Sequence, residues 1–310
     1  MSIKHRFTLF FIIILILFFA LPVSATVPNP IVPLDYDTLP ETVQGQHHYL
    51  LMCVDQWAGK VGNLGNTDGI VMVTLDTRAK RVMLTSVIRD LLVLRPDGVI
   101  GRINYIAKNY GPEALCKIFS THFGVKVEKY ILFDMGQVQS IVDHLGGVDI
   151  KVTDAEANYL KRYAISRSST SPPMNRAGTY RFYGHAAVIY MRIRKAGGGG
   201  DMMRTQRVRT VLSTLADQCR AITYDEAVAL VHSVSENTTL TNVTPQELLE
   251  AMEYAMQLRG VVVEELRLPM DGAYNGLTYA AMAVQQADYD LCRKAMADFL
   301  ENSYLVIDDD

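Results

Sequence analysis

The sequence lacks the short motifs that mark the commonest metal and nucleotide sites. Its four cysteines, Cys53, Cys116, Cys219 and Cys292, form no CxxC pair, which argues against a zinc site. Its seven histidines show no HExxH or comparable ligand spacing. Neither GxxxxGKS/T nor GxGxxG occurs, so neither a P-loop nor a Rossmann dinucleotide site is indicated.

An excess of positive charge is also missing. The 310 residues carry a formal net charge of −3, and the sequence pI is about 6.2. Nucleic-acid-binding domains usually present a basic surface, so we exclude general nucleic-acid binding and expect any anion recognition to be local. The composition, 49% hydrophobic and 20% charged, is that of a globular chain that can bury a large core.

Cysteine is sparse enough that each position can be interpreted separately. Cys53 lies in an apolar strand pattern and is interpreted as a small buried hydrophobe. Cys219 and Cys292 fall in two late predicted helices, where a disulfide between them and two free thiols are both open alternatives.

Long apolar runs are absent after residue 25, and one precedes it. Lys4, His5 and Arg6 stand before an apolar run at 7–21, and "LPVSAT" then resembles a cleavage site after Ala25. Residues 1–25 are therefore predicted to be a signal peptide or an uncleaved membrane anchor. Proline-rich residues 26–45 are predicted to be an extended tether, and residues 46–305 a single extracytoplasmic domain.

Apolar periodicity alternates between strand and helix along the body of the chain. Strands are predicted at 48–55, 70–76, 81–88, 129–134, 148–152 and 261–268, and helices at 112–124, 135–147 and 201–220. This order predicts an α/β fold, a three-layer α-β-α sandwich around a central mixed β-sheet. Residues 153–178 are polar and contain Pro172-Pro173, so they are predicted to be an irregular excursion, and a lid is one interpretation of it.

Positive charge is concentrated in one stretch, "YMRIRKAGGGGDMMRTQR". We expect an extended segment to present Arg192 and Arg194 on one face, and a helix to begin at Asp201. Arg204 and Arg207 would then lie on exposed first turns of that helix. Helix N-termini and glycine nests attract anions, and arginine forks bind phosphate oxygens. The stretch predicts a ligand with more than one phosphate, with a surface ion-pair cluster as the alternative.

Two aspartates precede this stretch at predicted strand ends. Asp55 ends the first strand, where α/β sheets usually bind ligands, and Asp68 begins the approach to the second. Two carboxylates beside bound phosphates would suit Mg²⁺, which prefers oxygen ligands and keeps several waters. The alternative is that each aspartate pairs with one of the arginines, and both interpretations can hold together.

Taken together, the motifs of this sequence resemble those of the LytR-CpsA-Psr (LCP) family of bacterial cell-wall phosphotransferases. The likeness runs from about residue 50 to residue 215. The pieces that carry it are "LLMCVD", "NTDGIVMVTLD", "LTSVIRDLLV", "GRINYIAKNYG", "YILFDMGQVQSIVDHLGGVDIKV", "GTYRFYGHAAVIYMRIR" and "GGDMMRTQRVRTVL". The resemblance implies transfer of a phosphorylated glycopolymer from a polyprenyl-pyrophosphate carrier at the membrane surface to a peptidoglycan sugar hydroxyl.

The resemblance also implies roles for individual residues. The pyrophosphate would be gripped by Arg89, Arg192, Arg194 and Arg204, with Arg102 as a further cation. Asp55 and Asp68 would hold Mg²⁺ directly or through water. Asp90 would brace Arg89, and Asp201 would orient arginines or the metal. Asp68 is the first candidate for a general base, although a metal-bound carboxylate is a poor one.

The sequence departs from the family at three places. "NTDG" stands where "RSDT" is usual, "SVIRD" replaces "SIPRD", and Val208 replaces a glutamine. A non-catalytic binder of polyprenyl phosphates and a pyrophosphate hydrolase therefore stay open as alternatives. A polyprenyl chain also needs an apolar channel, and ordinary core packing is the preferred interpretation of the residues considered for its walls. These residues are Ile118, Phe119, Phe123, Ile131, Phe133, Val138 and Ile141.

Overall fold

A computed structural model of the chain describes residues 28–55, 64–163, 174, 176–193, 196, 200–219, 223–237, 240–258 and 260–301. The predicted leader or anchor at 1–25 lies outside the described residues, and so does Arg194. The side chains of Asp201 and Cys219 lie outside them too, although both residues belong to a described helix.

The described residues form the following elements. The strands are β1 (Gln46–Val54), β2 (Thr67–Asp76), β3 (Arg81–Val87), β4 (Leu92–Leu94), β5 (Ile100–Arg102), β6 (Lys129–Phe133), β7 (Val148–Val152), β8 (Gly178–Phe182), β9 (Leu240–Thr241), β10 (Val263–Leu268), β11 (Tyr274–Tyr279) and β12 (Met282–Ala287). The helices are α1 (Ile106–Tyr110), α2 (Pro112–Phe123), α3 (Met135–His144), α4 (Asp154–Leu160), α5 (Gly184–Met191), α6 (Gly200–Cys219), α7 (Tyr224–Asn237), α8 (Pro245–Gln257) and α9 (Tyr289–Glu301).

The central sheet has the strand order β10-β3-β2-β1-β6-β9. β1 pairs with β6, and β3 with β10, in parallel. β2 is antiparallel to both β1 and β3, and β9 is antiparallel to β6. The sheet is therefore mixed, as predicted.

Helices cover both faces of this sheet. In β1, even-numbered side chains such as Leu50 and Met52 are fully buried in a core that also contains residues of α1, α2 and α9. The odd-numbered side chains, among them Leu51 and Cys53, are half-buried on the opposite face, which lies under α6, α7 and α8. Because side chains alternate along a strand, one sequence supplies both faces. The three-layer α-β-α sandwich is confirmed.

The prediction of irregular structure at 153–178 is wrong for residues 154–163, and residues 164–173 and 175 of that stretch lie outside the described residues. Residues Asp154–Leu160 form α4, followed by a 3-10 turn at Lys161–Tyr163. Thr153 accepts a hydrogen bond from the Glu156 backbone, and the Glu156 side chain accepts one from the Thr153 backbone. This reciprocal capping box starts the helix, and the T-x-x-E spacing was the signal that polarity obscured.

Two expectations around the cationic stretch are also wrong. Arg192 does not lie in a strand, since it terminates helix α5 with φ −91° and ψ −1°. Arg204 and Arg207 are not exposed, because their residues are 3% and 1% accessible on α6. The local sequence shows the charge of these arginines, but it does not show which carboxylates pair with them, and such pairing is what makes burial of a guanidinium possible.

The C-terminal part adds a hairpin that sequence periodicity did not indicate. β11 and β12 pair antiparallel, and Gln285 of β12 donates its N–H to the carbonyl of Asp90.

Cys292 of α9 is a buried free thiol, so the Cys219–Cys292 disulfide is not present. Within the described ranges, no helix combines the length and apolar character that crossing a membrane requires.

The segment before β1 lies against the domain. It contains one 3-10 turn at Tyr36–Thr38, and Ile31 and Leu39 are buried. Arg293 of α9 donates to the carbonyl of Val32 at 2.7 Å. These contacts attach residues that precede β1 to the same body as the last helix.

Candidate active site

Strand direction brings the predicted site residues to one edge of the sheet. β1 and β3 run in the same direction because each is antiparallel to β2 between them. Asp55 follows the end of β1, Asp68 lies at the start of β2, and Arg89 follows β3. A register shift at Cys53/Val54 leaves Asp68 without a partner in the β1–β2 ladder, which is how a bulge redirects a side chain.

Asp68 lies between two guanidinium groups. One carboxylate oxygen is 2.8 Å from Nη1 of Arg89, and the other is 3.0 Å from Nη1 of Arg204. Arg204 also donates to the backbone carbonyl of Asp68 at 2.9 Å. The Asp68 side chain is 7% exposed and that of Arg204 4%. Helix α6 therefore contributes a buried cation to the edge of the sheet.

Three further ion pairs flank this group. Arg192, at the end of α5, donates to Asp55 at 2.8 Å, and both side chains are partly exposed. Asp90 lies 3.0 Å from Arg102 and 3.6 Å from Arg89. Arg102 also donates to the Ala283 carbonyl in hairpin β11–β12 at 2.9 Å.

The structure thus brings together seven of the residues predicted for the site, which we call the arginine cluster. It consists of Asp55, Asp68, Arg89, Asp90, Arg102, Arg192 and Arg204. Four arginines against three aspartates leave an excess of one positive charge. Each aspartate pairs with at least one arginine, so the ion pairs that the sequence left open as an alternative are present.

The electrostatics of Asp68 restrict what it can do. Burial alone would raise the pKa of its carboxyl group, but the charges of Arg204 and Arg89 outweigh burial, and the pKa lies below its ordinary value. A carboxylate with a lowered pKa accepts a proton poorly. This argues against Asp68 as a general base and for a role in holding the two arginines.

An apolar cavity of about 270 Å³ opens beside the arginine cluster. Its wall includes Asp68, Arg192 and Arg204 at one side. The remaining wall is apolar and comes from β1, β2, β6, α3, α5 and α6. It comprises Leu51, Met52, Cys53, Gly69, Val71, Ile131, Phe133, Met135, Val138, Ile141, Met191, Val208, Leu212 and Leu215.

A second apolar cavity, of about 360 Å³, continues along the same face of the sheet. It lies between the sheet and helices α6, α7 and α8, and it shares Leu51, Ile131 and Leu212 with the first cavity. We call the two together the apolar tunnel. Because one wall residue from each of β1, β6 and α6 belongs to both cavities, the two adjoin at these side chains.

The residues weighed as channel walls divide into two groups. Ile131, Phe133, Val138 and Ile141 line the first cavity. Ile118, Phe119 and Phe123 belong instead to the core on the opposite face of the sheet. Core packing is confirmed for the second group, whereas in the first group Ile131, Phe133 and Val138 belong to or pack against core clusters and also line the cavity. The signal that was missed is the apolar odd-numbered side of β1, where Leu51 and Cys53 lie half-buried.

The oxygen donors present match a magnesium ion only in part. Among the described residues, no three His, Cys, Asp or Glu side chains are grouped as metal ligands. Asp55 binds one arginine and Asp68 binds two. Two carboxylates together with substrate phosphate oxygens are nevertheless the donor set that Mg²⁺ commonly uses. The donor chemistry therefore fits a metal that arrives with the phosphates.

Comparison with known proteins defines the class. Residues 32–296 match the model of the LytR_cpsA_psr family, and the chain belongs to that family. It is 21% identical over 230 residues to the polyisoprenyl-teichoic acid–peptidoglycan teichoic acid transferase TagV of Bacillus subtilis, an alignment that covers 73% of this chain and 57% of TagV. It is 25% identical over 232 residues to the transferase TagU of Bacillus licheniformis, covering 74% of this chain and 71% of TagU.

Solved structures show the same fold. The crystal structure of Bacillus subtilis TagT superposes with a TM-score of 0.67 at 19% identity, covering 92% of this chain and 100% of that one. TagT bound to LI-WTA superposes with a TM-score of 0.66 at 18% identity and the same coverage. At these identities the likeness establishes the fold, and the chain aligns to little more than half the length of TagV.

Proposed function

We propose that this protein transfers a phosphorylated glycopolymer from a polyprenyl-pyrophosphate carrier to a peptidoglycan hydroxyl. The observation that carries the proposal is that Arg192 and Arg204 line the same cavity as a long apolar wall. A lipid pyrophosphate has two matching parts, a doubly phosphorylated headgroup and a hydrocarbon tail. The relatives TagV and TagU are named as transferases of polyisoprenyl-linked teichoic acid to peptidoglycan, which supports this substrate class.

The headgroup would exchange partners with the aspartates. Arginine forks bind phosphate oxygens bidentately, so Arg89, Arg192 and Arg204 can release carboxylates and accept the pyrophosphate in their place. Asp68 and Asp55 hold these guanidinium groups in place. The cluster is thereby preorganised, and binding does not have to bring the cations together from solvent.

The tail would occupy the apolar tunnel. Apolar burial stabilises by about 25 cal/mol per Å² of surface removed from water, so a prenyl chain in the tunnel gains affinity with each unit. The gain is independent of headgroup chemistry. Tail and headgroup therefore contribute separately, and variants of the two regions should be separable by experiment.

The transfer step makes one bond and breaks one bond. The acceptor hydroxyl oxygen attacks the sugar-linked phosphorus, and the bond from that phosphorus to the bridging oxygen breaks. The polymer phosphate becomes attached to peptidoglycan, lipid monophosphate leaves, and the hydroxyl proton passes to solvent or the leaving phosphate. The arginines neutralise charge on both phosphates, and phosphoryl transfer depends mostly on such positioning and neutralisation.

Mg²⁺, when bound, would neutralise further phosphate charge. Asp55 and Asp68 are the residues that would hold it, once phosphate has displaced Arg192 and Arg204 from their carboxylates. In this scheme Asp90 keeps its contact with Arg102 throughout. Arg194 and Asp201 remain sequence-based proposals for the same site.

The protein would act outside the cytoplasm, next to the membrane that carries its lipid substrate. The basic residues and apolar run at the N-terminus support export, and an uncleaved run would anchor the domain at that surface. Mass spectrometry of the protein recovered from membranes measures whether residues 1–25 are retained or have been cleaved.

A non-catalytic binder of lipid phosphates is the second candidate. It is favoured by Asp68, whose carboxylate binds two arginines and whose pKa is lowered, which makes it a weak base. A binder would retain lipid pyrophosphate without forming a conjugate.

The test is a transfer assay with purified protein, lipid-pyrophosphate-linked sugar and a peptidoglycan acceptor. The proposal predicts a covalent conjugate and an equal amount of lipid monophosphate. Arg192→Met should reduce transfer. The control is Arg181→Met, which removes a comparably exposed arginine of β8 that pairs with Asp149 of β7, and it should not reduce transfer. Free sugar phosphate without conjugate would indicate a hydrolase, and intact retained lipid would indicate the binder.

A further inference from the structure

Arg207 is the most deeply buried arginine in the described part of the cationic stretch, and the phosphate site does not use it. Its residue is 1% accessible, and it is among the largest fully buried side chains of the domain. A buried guanidinium is costly unless its donors are paired, so its partners indicate its role.

Three different N–H groups of Arg207 have partners. Nε donates to the Glu156 carboxylate at 2.7 Å. Nη1 donates to the carbonyl of Ile193 at 2.9 Å, and Nη2 to the carbonyl of Ala196 at 3.0 Å. The two carbonyls belong to the chain between α5 and α6, on either side of residues 194 and 195. One side chain therefore fastens both ends of the segment that contains Arg194.

The chain between Ala196 and α6 contains Gly197, Gly198 and Gly199, and α6 itself begins at Gly200. Arg192 precedes the segment and pairs with Asp55, and Arg204 follows it and pairs with Asp68. The hydrogen bonds of Arg207 therefore join α6 to the chain that follows α5, between these two arginines.

Glu156 is itself fixed. Its second carboxylate oxygen accepts the backbone N–H of Thr153 at 2.9 Å and the Thr153 hydroxyl at 3.1 Å. The same side chain therefore caps α4 and binds Arg207. This links α4, a helix outside the central sheet, to the connection between α5 and α6, next to the two phosphate-binding arginines.

We propose that Arg207 is a positioning residue that, held by Glu156, sets the spacing of Arg192 and Arg204 for a diphosphate headgroup. The inference rests on the proposed function, because it presupposes that the two arginines bind one headgroup. Arg207 touches no substrate in this account. It acts through the backbone carbonyls of Ile193 and Ala196, and so it should affect headgroup binding but not tail binding.

The test separates these two parts of the ligand. Binding of geranylgeranyl pyrophosphate and of geranylgeraniol, which has the same tail and no phosphate, is measured for each variant. The ratio of the two affinities is the headgroup preference. Loss of folded protein lowers both affinities equally and leaves the ratio unchanged, so a purely structural role does not alter it.

Arg207→Met should lower the headgroup preference by about 10-fold or more, because misplaced guanidinium groups lose charge-assisted hydrogen bonds to the phosphates. Arg207→Lys should restore part of it, and Glu156→Gln should lower it less, since an amide oxygen still accepts a hydrogen bond. The matched control is Arg81→Met. Arg81 pairs with Glu264 at the opposite end of β3 from the arginine cluster, and this variant should lower Tm without changing the ratio.

The outcomes distinguish the two claims. If wild-type protein shows no headgroup preference, the proposed function is wrong and the role of Arg207 with it. If wild-type shows the preference and both Arg207→Met and Glu156→Gln retain it in full, only the positioning role is overturned. Should Arg207→Met not fold, Glu156→Gln and Arg207→Lys carry the same comparison.

Discussion

Replacing Asp68 by asparagine should destabilise the ligand-free protein and strengthen its response to ligand. Asparagine removes the charge but keeps the shape, so Arg89 and Arg204 face each other across a neutral amide. Breaking a buried ion pair typically costs about 3–5 kcal/mol, and the 4% exposed Arg204 side chain places this pair in that range. At about 2–4 °C per kcal/mol for a large domain, Tm should fall by about 10 °C.

Ligand binding should offset much of this loss. In wild-type protein a phosphate competes with the Asp68 carboxylate for both arginines, whereas in Asp68→Asn the phosphate meets no competing charge. The rise in Tm on adding farnesyl pyrophosphate should therefore be larger in the variant than in wild-type. Both are measured by differential scanning calorimetry in EDTA, so that metal binding does not contribute.

Glu264→Gln is the matched control for this comparison. It removes the acidic partner of Arg81 in a more exposed pair, for which the expected cost is about 0–1 kcal/mol. Its ligand-induced rise in Tm should equal that of wild-type. A variant Asp68→Asn that is as stable as wild-type, or that gains less from ligand, would refute the exchange of carboxylate for phosphate.

Three further predictions follow from the same geometry. The pKa of Asp68 is lowered in the folded state, so its carboxylate stabilises the fold above about pH 4, and this stabilisation is lost as the pH falls through the lowered pKa. The Tm of Asp68→Asn should therefore fall less steeply with decreasing pH than the Tm of wild-type protein. Leu212→Trp should narrow the passage between the cavities and weaken binding of a C55 prenyl pyrophosphate at least 10-fold; equal loss for farnesyl pyrophosphate would count against the tunnel. EDTA should stop transfer, Mg²⁺ should restore it, and Asp55→Asn should raise the Mg²⁺ concentration required; metal-independent rates would rule out the metal site.

Much of the fold could be predicted because local patterns and tertiary packing agree. The strands β1, β2, β3 and β6 and the helices α2, α3 and α6 each have an apolar side that one of the core clusters buries. Helix α4 was missed although Thr153 and Glu156 form a capping box, because the surrounding residues are polar. The hairpin β11–β12 was missed as well, since its sequence has no regular apolar alternation.

The composition of the arginine cluster was predictable, but its construction was not. The positions of Asp55, Asp68 and Arg89 at one edge of the sheet could be predicted because each residue lies at the end of a predicted strand. The burial of Arg204 and Arg207 depends on the partners Asp68 and Glu156, which are distant in sequence. A charged pattern on a helix indicates an exposed face unless such partners are known, so periodicity alone assigned these two arginines to the surface.

The apolar tunnel could not be predicted from local sequence either. Ile131 and Phe133 have the composition of core residues, and sequence alone does not distinguish a filled core from a cavity. What distinguishes them is that α6, α7 and α8 leave space above the odd-numbered side of β1. That spacing results from how helices pack on the sheet, which no local pattern in the chain specifies.

The most direct test of the central claim is an experimental structure of the protein with a prenyl pyrophosphate bound. The account predicts that the two phosphates contact Arg89, Arg192 and Arg204, and that the prenyl chain passes between Leu51 and Leu212 into the second cavity. A headgroup bound away from these arginines, or a tail lying outside the tunnel, would contradict it.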